Sequence, residues 1–234
     1  MTTAPITQVV AMHGWAGDSR AWQPWEQLAA ERNWTFSSGE RGYGQLQPQQ
    51  PSWHSNSTQR VVIGHSMGPH LLPAALWPQA TAVVLLASFA GFIPPGREGK
   101  GPRAALRGMA QRLESGDTTA MLRDFFRQAA APHPVGALPP GPLEQGLSPE
   151  GSQRLLSDLR QLALINTLPE GWPQGVPVLI VEAADDQIVA EASRAQLRLA
   201  LPEATVWTLH HAGHCLLEPD LPQRVMHWIA DAHA

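Results

Sequence analysis

The chain has 234 residues, 43% of them hydrophobic, and a net charge of −4. That size suits one α/β domain with room for an insertion; the acidic balance gives no electrostatic case for nucleic-acid binding, and no apolar run approaches the length needed to cross a bilayer. A single cysteine, Cys215, excludes an internal disulfide and a Cys-rich zinc site, and the first residues carry neither the positive nor the apolar region of a signal peptide, so a cytoplasmic protein is expected.

Taken in chain order, short β-rich runs alternate with helix-like segments, the mark of βα units and a parallel sheet. Gln8 to Met12 reads as the first strand and ends in His13-Gly14-Trp15-Ala16-Gly17; a helical stretch follows over about 20–30. A weaker strand spans Trp34 to Ser37. Arg60 to Gly64 is the next strand, and it runs directly into Gly64-His65-Ser66-Met67-Gly68. Pro69 is tolerated in the first turn of a helix, whereas Pro73 should distort the helix behind the serine. Ala82 to Ser88 and Val176 to Val181 are near-continuous apolar runs, as strands buried on both faces require. Ala204 to Leu209 supplies the last strand and Pro222 to His233 a closing helix.

Between these last two apolar runs the pattern changes. Segments 103–114, 118–131 and 150–163 carry apolar residues at helical spacing, joined by Pro/Gly-rich stretches and interrupted by no β-run. Roughly 75 residues far exceed an ordinary connection. The expected architecture is therefore a mostly parallel sheet flanked by helices, with residues 1–91 and 169–234 as the core and 92–168 as an inserted helical lid.

Gly64-His65-Ser66-Met67-Gly68 after a β-branched run has the layout of a nucleophile elbow, a strand-to-helix turn that exposes one serine hydroxyl above the sheet. Crowding at such a turn requires small residues two before and two after the serine. A serine hydroxyl needs an imidazole to take its proton, and the imidazole needs a carboxylate to fix its tautomer. Downstream, Asp185 and Asp186 follow the strand at 176–181. The last strand leads into His210-His211-Ala212-Gly213-His214. His214, after a glycine, is the best general base, with His210 and His211 as alternatives. No second ligand cluster accompanies these histidines, so no metal is expected, and the chemistry needs no organic cofactor. The developing oxyanion needs donors: the N–H of Met67 directly after the serine, and the N–H of Trp15, whose indole should line the cleft.

With these residues in that order, the chain resembles the α/β-hydrolase superfamily. The resemblance implies an acid three residues before a valine and a base directly after a glycine, which selects Asp186 (before Val189) and His214. Within the superfamily the His-Gly-Trp loop followed by Trp22, and the segment from Met109 to Phe126, are most similar to the small carboxylesterases that release methanol from pimeloyl-acyl-carrier-protein methyl ester in biotin synthesis. General acyl esterases, thioesterases and menaquinone-pathway lyases share much of the pattern. A silent, ligand-binding member of the same fold is the alternative of another class.

The lid adds its own signal. From Phe92 to Val135 seven basic residues face four acidic ones, a local +3 against −7 for the rest of the chain. Such a surface would attract an acidic carrier protein; a solvated face with internal ion pairs is the plainer alternative. Arg123 and Arg127, four residues apart and so on one helix side, are the preferred carrier-binding pair, with Arg107 and Phe126 as further substrate- or carrier-binding candidates.

Overall fold

A computed structural model describes residues 5–233. In chain order it runs β1 (Thr7–Met12), α1 (Gln23–Glu31), β2 (Thr35–Gly39), β3 (Gln59–His65), α2 (Gly68–Leu71), β4 (Ala82–Leu86), α3 (Lys100–Glu114), α4 (Thr118–Ala130), α5 (Pro142–Gln145), α6 (Pro149–Leu162), β5 (Val178–Ala183), α7 (Glu191–Ala200), β6 (Thr205–Leu209) and α8 (Leu221–Asp231). The six strands form one sheet in the order β2-β1-β3-β4-β5-β6, every neighbouring pair parallel. This is an α/β-hydrolase fold. From β1 the chain steps to β2 on one side, then crosses to β3 on the other. That reversal opens a crevice at the carboxyl ends of β1 and β3, the usual place for a ligand in an open α/β sheet.

Local chemistry accounts for the element ends. The strand expected from residue 176 begins at Val178, because Pro177 has no N–H to give to the ladder. The run expected to Ser88 stops at Leu86; Ala87 turns at φ 44°. Pro73 limits the helix behind Ser66 to the single turn of α2: Leu72 is extended (ψ 147°), as a residue before proline prefers. A 3₁₀ stretch, Ala74–Gln79, continues the crossover.

Strand alternation divides the core in two. Val9, Ala11, Ile63 and Leu179 face α1 and α8 and pack with Trp25, Ala29, Val225 and Ile229. Val10, Met12, Val62 and Ile180 face the other way, in a cluster that includes Trp77 and Leu197 and continues into the helical insertion through Leu106, Leu122, Leu155 and Leu159. The insertion therefore shares the hydrophobic core of one sheet face.

Polar contacts complete the attachment. Asp158, in α6 and 1% exposed, accepts two bonds from the Arg41 guanidinium (2.7 Å each) and one from the Tyr43 hydroxyl (2.7 Å). The Trp15 indole N–H donates to the Leu155 carbonyl of the same helix (2.8 Å). A Cβ at Gly151 would overlap the Tyr43 carbonyl, so only glycine lets α6 seat here. Among the described residues no helix is long and apolar enough to cross a membrane.

Removing Asp158 leaves the buried Tyr43 hydroxyl and the half-buried Arg41 guanidinium without their partner, at a cost of about 1–3 kcal/mol. Asp158→Ala is therefore expected to lower unfolding stability by about that amount, read from the urea midpoint. An unchanged midpoint would show that the Asp158 contacts do not contribute to holding α6.

Candidate active site

The site begins at the end of β3. Ser66 sits at φ 56°, a left-handed conformation that costs a non-glycine residue on the order of 1–3 kcal/mol and survives only where its surroundings enforce it. Here the Ser66 N–H donates to the Leu86 carbonyl (2.8 Å) and the Ser66 carbonyl accepts from the Ser88 hydroxyl (2.7 Å). The flanking glycines are steric necessities. A Cβ on Gly64 would run into the Pro69 ring, and one on Gly68 into the Met12 carbonyl at the end of β1. Pro69, in the first turn of α2, thus occupies the space that Gly64 leaves.

The loop after β6 brings His214 to this turn. Its Nε2 lies 2.9 Å from Ser66 Oγ and its Nδ1 2.9 Å from Asp186 Oδ2. A carboxylate only accepts, so Nδ1 carries the proton and Nε2 is left with its lone pair toward the serine hydroxyl. Two contacts fix the His214 backbone. Its carbonyl accepts from His65 Nε2 (2.9 Å), and Gly213 approaches the Ala131 carbonyl so closely that a Cβ would overlap it. The neighbouring Cys215 N–H donates to the Ala129 carbonyl (3.1 Å) at the end of α4. The loop carrying the base is thus held by the insertion as well as by the sheet.

Asp186 has a fully buried side chain. Burial alone would raise its carboxyl pKa, but the His214 ring and the N–H groups of Val189 (2.9 Å) and Ile188 (2.7 Å) outweigh that and hold it below the usual value. Asp185, His210 and His211 are exposed and take no part.

The loop after β1 supplies the remaining groups. Gly14 approaches Ser66 so closely that a Cβ there would stand 2.9 Å from the serine Cβ. Its carbonyl accepts from the Gly17 N–H (3.2 Å) and from His13 Nδ1 (2.8 Å). The Arg41 N–H donates to His13 Nε2 (3.1 Å), which assigns the ring proton to Nδ1. In a trans peptide, C=O and N–H point opposite ways; anchoring the Gly14 carbonyl therefore turns the Trp15 N–H away from it. Among the described residues neither the Trp15 nor the Met67 backbone N–H has a protein acceptor. Below the loop, the N–H groups of Ser19 (2.8 Å) and Gly42 (2.7 Å) donate to the Glu40 carboxylate.

A cavity of about 870 Å³ opens over these groups, walled by Trp15, Trp22, Phe125, Phe126, Leu143 and Leu217. No cluster of three or more metal-ligating side chains occurs among the described residues.

The sequence matches the alpha/beta hydrolase family over residues 9–228. The chain belongs to that family. No protein of curated function is a significant sequence match. Similar solved structures include a bromoperoxidase from Bacillus anthracis (TM-score 0.70, 17% identity, 97% of this chain and 92% of that one). MenH from S. aureus aligns with TM-score 0.62 at 14% identity over 100% and 97% of the two chains. An esterase from Exiguobacterium antarcticum gives TM-score 0.66 at 15% identity over 99% and 94%. At these identities the likeness is one of fold.

In this α/β hydrolase the expected lid residues separate. Phe126 lines the cavity beside Phe125. Arg107, Arg123 and Arg127 are exposed and outside its lining. Arg127 is paired with Asp124 (2.9 Å), which also holds Arg112 (2.9 Å); Arg123 has no ion-pair partner among the described residues. Trp15 lines the cavity, but its indole also ties α6 to the β1 loop, a role the sequence did not show. His13, His65 and Ser88 were legible only as letters of the motifs and strand ends that contain them. Their contribution is to orient backbone groups, which no spacing rule reports.

Two outcomes follow from this packing. Gly68→Ala, which adds one methyl group against a backbone oxygen, is expected to lower thermal stability and activity together; a variant with wild-type melting would remove the steric account of the elbow. Burial, then the neighbouring His214, pushes His65 down to about 4. The unfolded chain therefore takes up a proton that the folded one refuses, and stability is lost as pH falls from about 6.5 toward 4. His65→Gln should flatten that limb of the urea-midpoint profile.

Proposed function

We propose that this α/β hydrolase is a serine carboxylesterase. The observation that carries the reading is the unbroken line Ser66 Oγ, His214 Nε2, His214 Nδ1, Asp186 Oδ2, with both hydrogen bonds at 2.9 Å, beneath an apolar cavity. In this mechanism His214 takes the Ser66 proton as Oγ attacks the ester carbonyl. Asp186 keeps the imidazole in the required tautomer and balances its charge once protonated. The Trp15 and Met67 N–H groups, both without protein acceptors among the described residues, receive the developing oxyanion. His214 then protonates the departing alcohol, and a water activated by the same base hydrolyses the acyl-enzyme. No cofactor enters the reaction.

The finer reading is a carrier-borne substrate, with pimeloyl-acyl-carrier-protein methyl ester as the favoured candidate and helices α3–α6 as a cap over the acyl chain. Its support is the similarity of the His-Gly-Trp loop and cap segment to those esterases, together with the exposed cations Arg107 and Arg123. Arg127, already neutralised in part by Asp124, contributes less than its partner in the pair.

Ser66→Ala is expected to lower turnover of a short p-nitrophenyl ester by at least about 10³-fold and to abolish labelling by a fluorophosphonate, with the far-ultraviolet circular dichroism unchanged. Retained turnover would remove the mechanism. For the carrier, Arg107→Glu with Arg123→Glu should reduce the ratio of carrier-borne to free methyl ester hydrolysis at low salt. An unchanged ratio would remove the carrier from the assignment.

A further inference from the structure

The cavity over Ser66 is charged in a one-sided way. Among the described residues, the Arg and Lys side chains contribute one member to its lining, Arg20, while Asp18, Glu144 and Glu218 contribute carboxylates. Arg20 is not free to meet a substrate anion. Its Nε donates to both oxygens of Asp18 (3.1 Å each) and its Nη2 to Asp18 Oδ2, and the Asp18 side chain is only 3% exposed. The clasp is internal and its net charge is zero.

Among the described residues neither of the other two carboxylates is held in an ion pair. Glu144 is exposed, accepts the Gly141 N–H (2.8 Å) and lies near enough to Arg20 to feel its charge, while half-buried Glu218 has no ion-pair partner among the described residues. Three carboxylates against one guanidinium leave the lining two negative charges in excess. The cationic side chains of the insertion do not line the cavity. Much of the remaining wall is aromatic and aliphatic, with Gln23, His133 and Gln145 among its polar members, so half-buried Glu218 is the less screened of the two unpaired carboxylates.

We propose that this cavity selects esters with an uncharged acyl chain and discriminates against acyl chains ending in a free carboxylate. The inference rests on the esterase reading and names its substrate class. A terminal ester would be accepted where the corresponding acid would be turned away. The same field acts on the product. Hydrolysis breaks the acyl C–O bond, gives the alcohol its proton and adds water's oxygen to the acyl carbon; the carboxylic acid then loses a proton to solvent. A neutral occupant thus becomes an anion inside a negative lining, which favours its departure.

The test compares three p-nitrophenyl esters of equal acyl length, at pH 8 and low salt: the hexanoate, the adipate monoester with a free carboxylate, and the 6-aminohexanoate. The expected result is kcat/KM for the adipate monoester about tenfold or more below that for the hexanoate, a difference of about 1.4 kcal/mol. The cationic ester should be used better than the anionic one, which separates charge from polarity. Added salt and Glu218→Gln should each move the anion-to-hexanoate ratio toward unity; because the ratio is taken within one protein, partial misfolding does not affect it. Equal rates for the anionic and neutral esters, or equal rejection of both charged ones, would overturn the inference while leaving the esterase intact. Absence of fluorophosphonate labelling at Ser66 in the wild-type protein would instead overturn the esterase reading beneath it.

Discussion

Everything at the site depends on how closely the ends of β1 and β3 approach one another. Two backbones meet there with no side chain between them: Gly68 rests on the Met12 carbonyl, and Gly14 stands against Ser66. Close-packed interiors leave no slack for a methyl group at such a contact. The approach sets the loop that carries Trp15 against the turn that carries Met67, although 52 positions separate the two residues in the chain. It also enforces the positive φ at Ser66, which the Leu86 and Ser88 hydrogen bonds then hold. Were the two strand ends a little further apart, the positive φ at Ser66 would no longer be enforced.

The helical insertion is part of this construction. Through Asp158 it binds Arg41 and Tyr43, in the segment that follows β2, and through the Leu155 carbonyl it holds the Trp15 indole. At the end of α4 it also receives the His214 loop, through Gly213 and Cys215. His214 and Trp15 are thus each braced against the segment that walls the cavity. Changes in the insertion can therefore alter the geometry around Ser66 and His214 as well as the shape of the cavity. The charged lining described above belongs to the same arrangement, since Glu144 lies in the insertion and Glu218 follows the base.

The sheet was legible because its strands are apolar runs with turn-forming ends, and buried parallel strands can hardly be written otherwise. Strand limits fell within a residue or two of those expected, and the shifts at Pro177 and Ala87 have a local cause. Pro73 announced a disturbed helix, and α2 is a single turn for that reason. The lid arginines show the opposite case. Their clustering was visible, but whether an arginine is free or paired depends on which acid its helix neighbour presents, and Asp124 takes both Arg112 and Arg127.

By itself the sequence determined the order of elements, the elbow and the identity of the candidate nucleophile and base. These follow from local sterics and from periodicity, which act over a few residues. Asp186 rather than Asp185 needed a family pattern before folding, and the tertiary structure shows its physical ground: the Asp186 carboxyl is buried against His214 while its neighbour faces solvent. The tautomer of His13, the neutral state of His65, the double role of Trp15 and the sign of charge in the cavity were decided only by folding. Each depends on groups that are distant in sequence, and hydrogen bonds and Coulomb forces act on separation in space, which one chain of letters does not state.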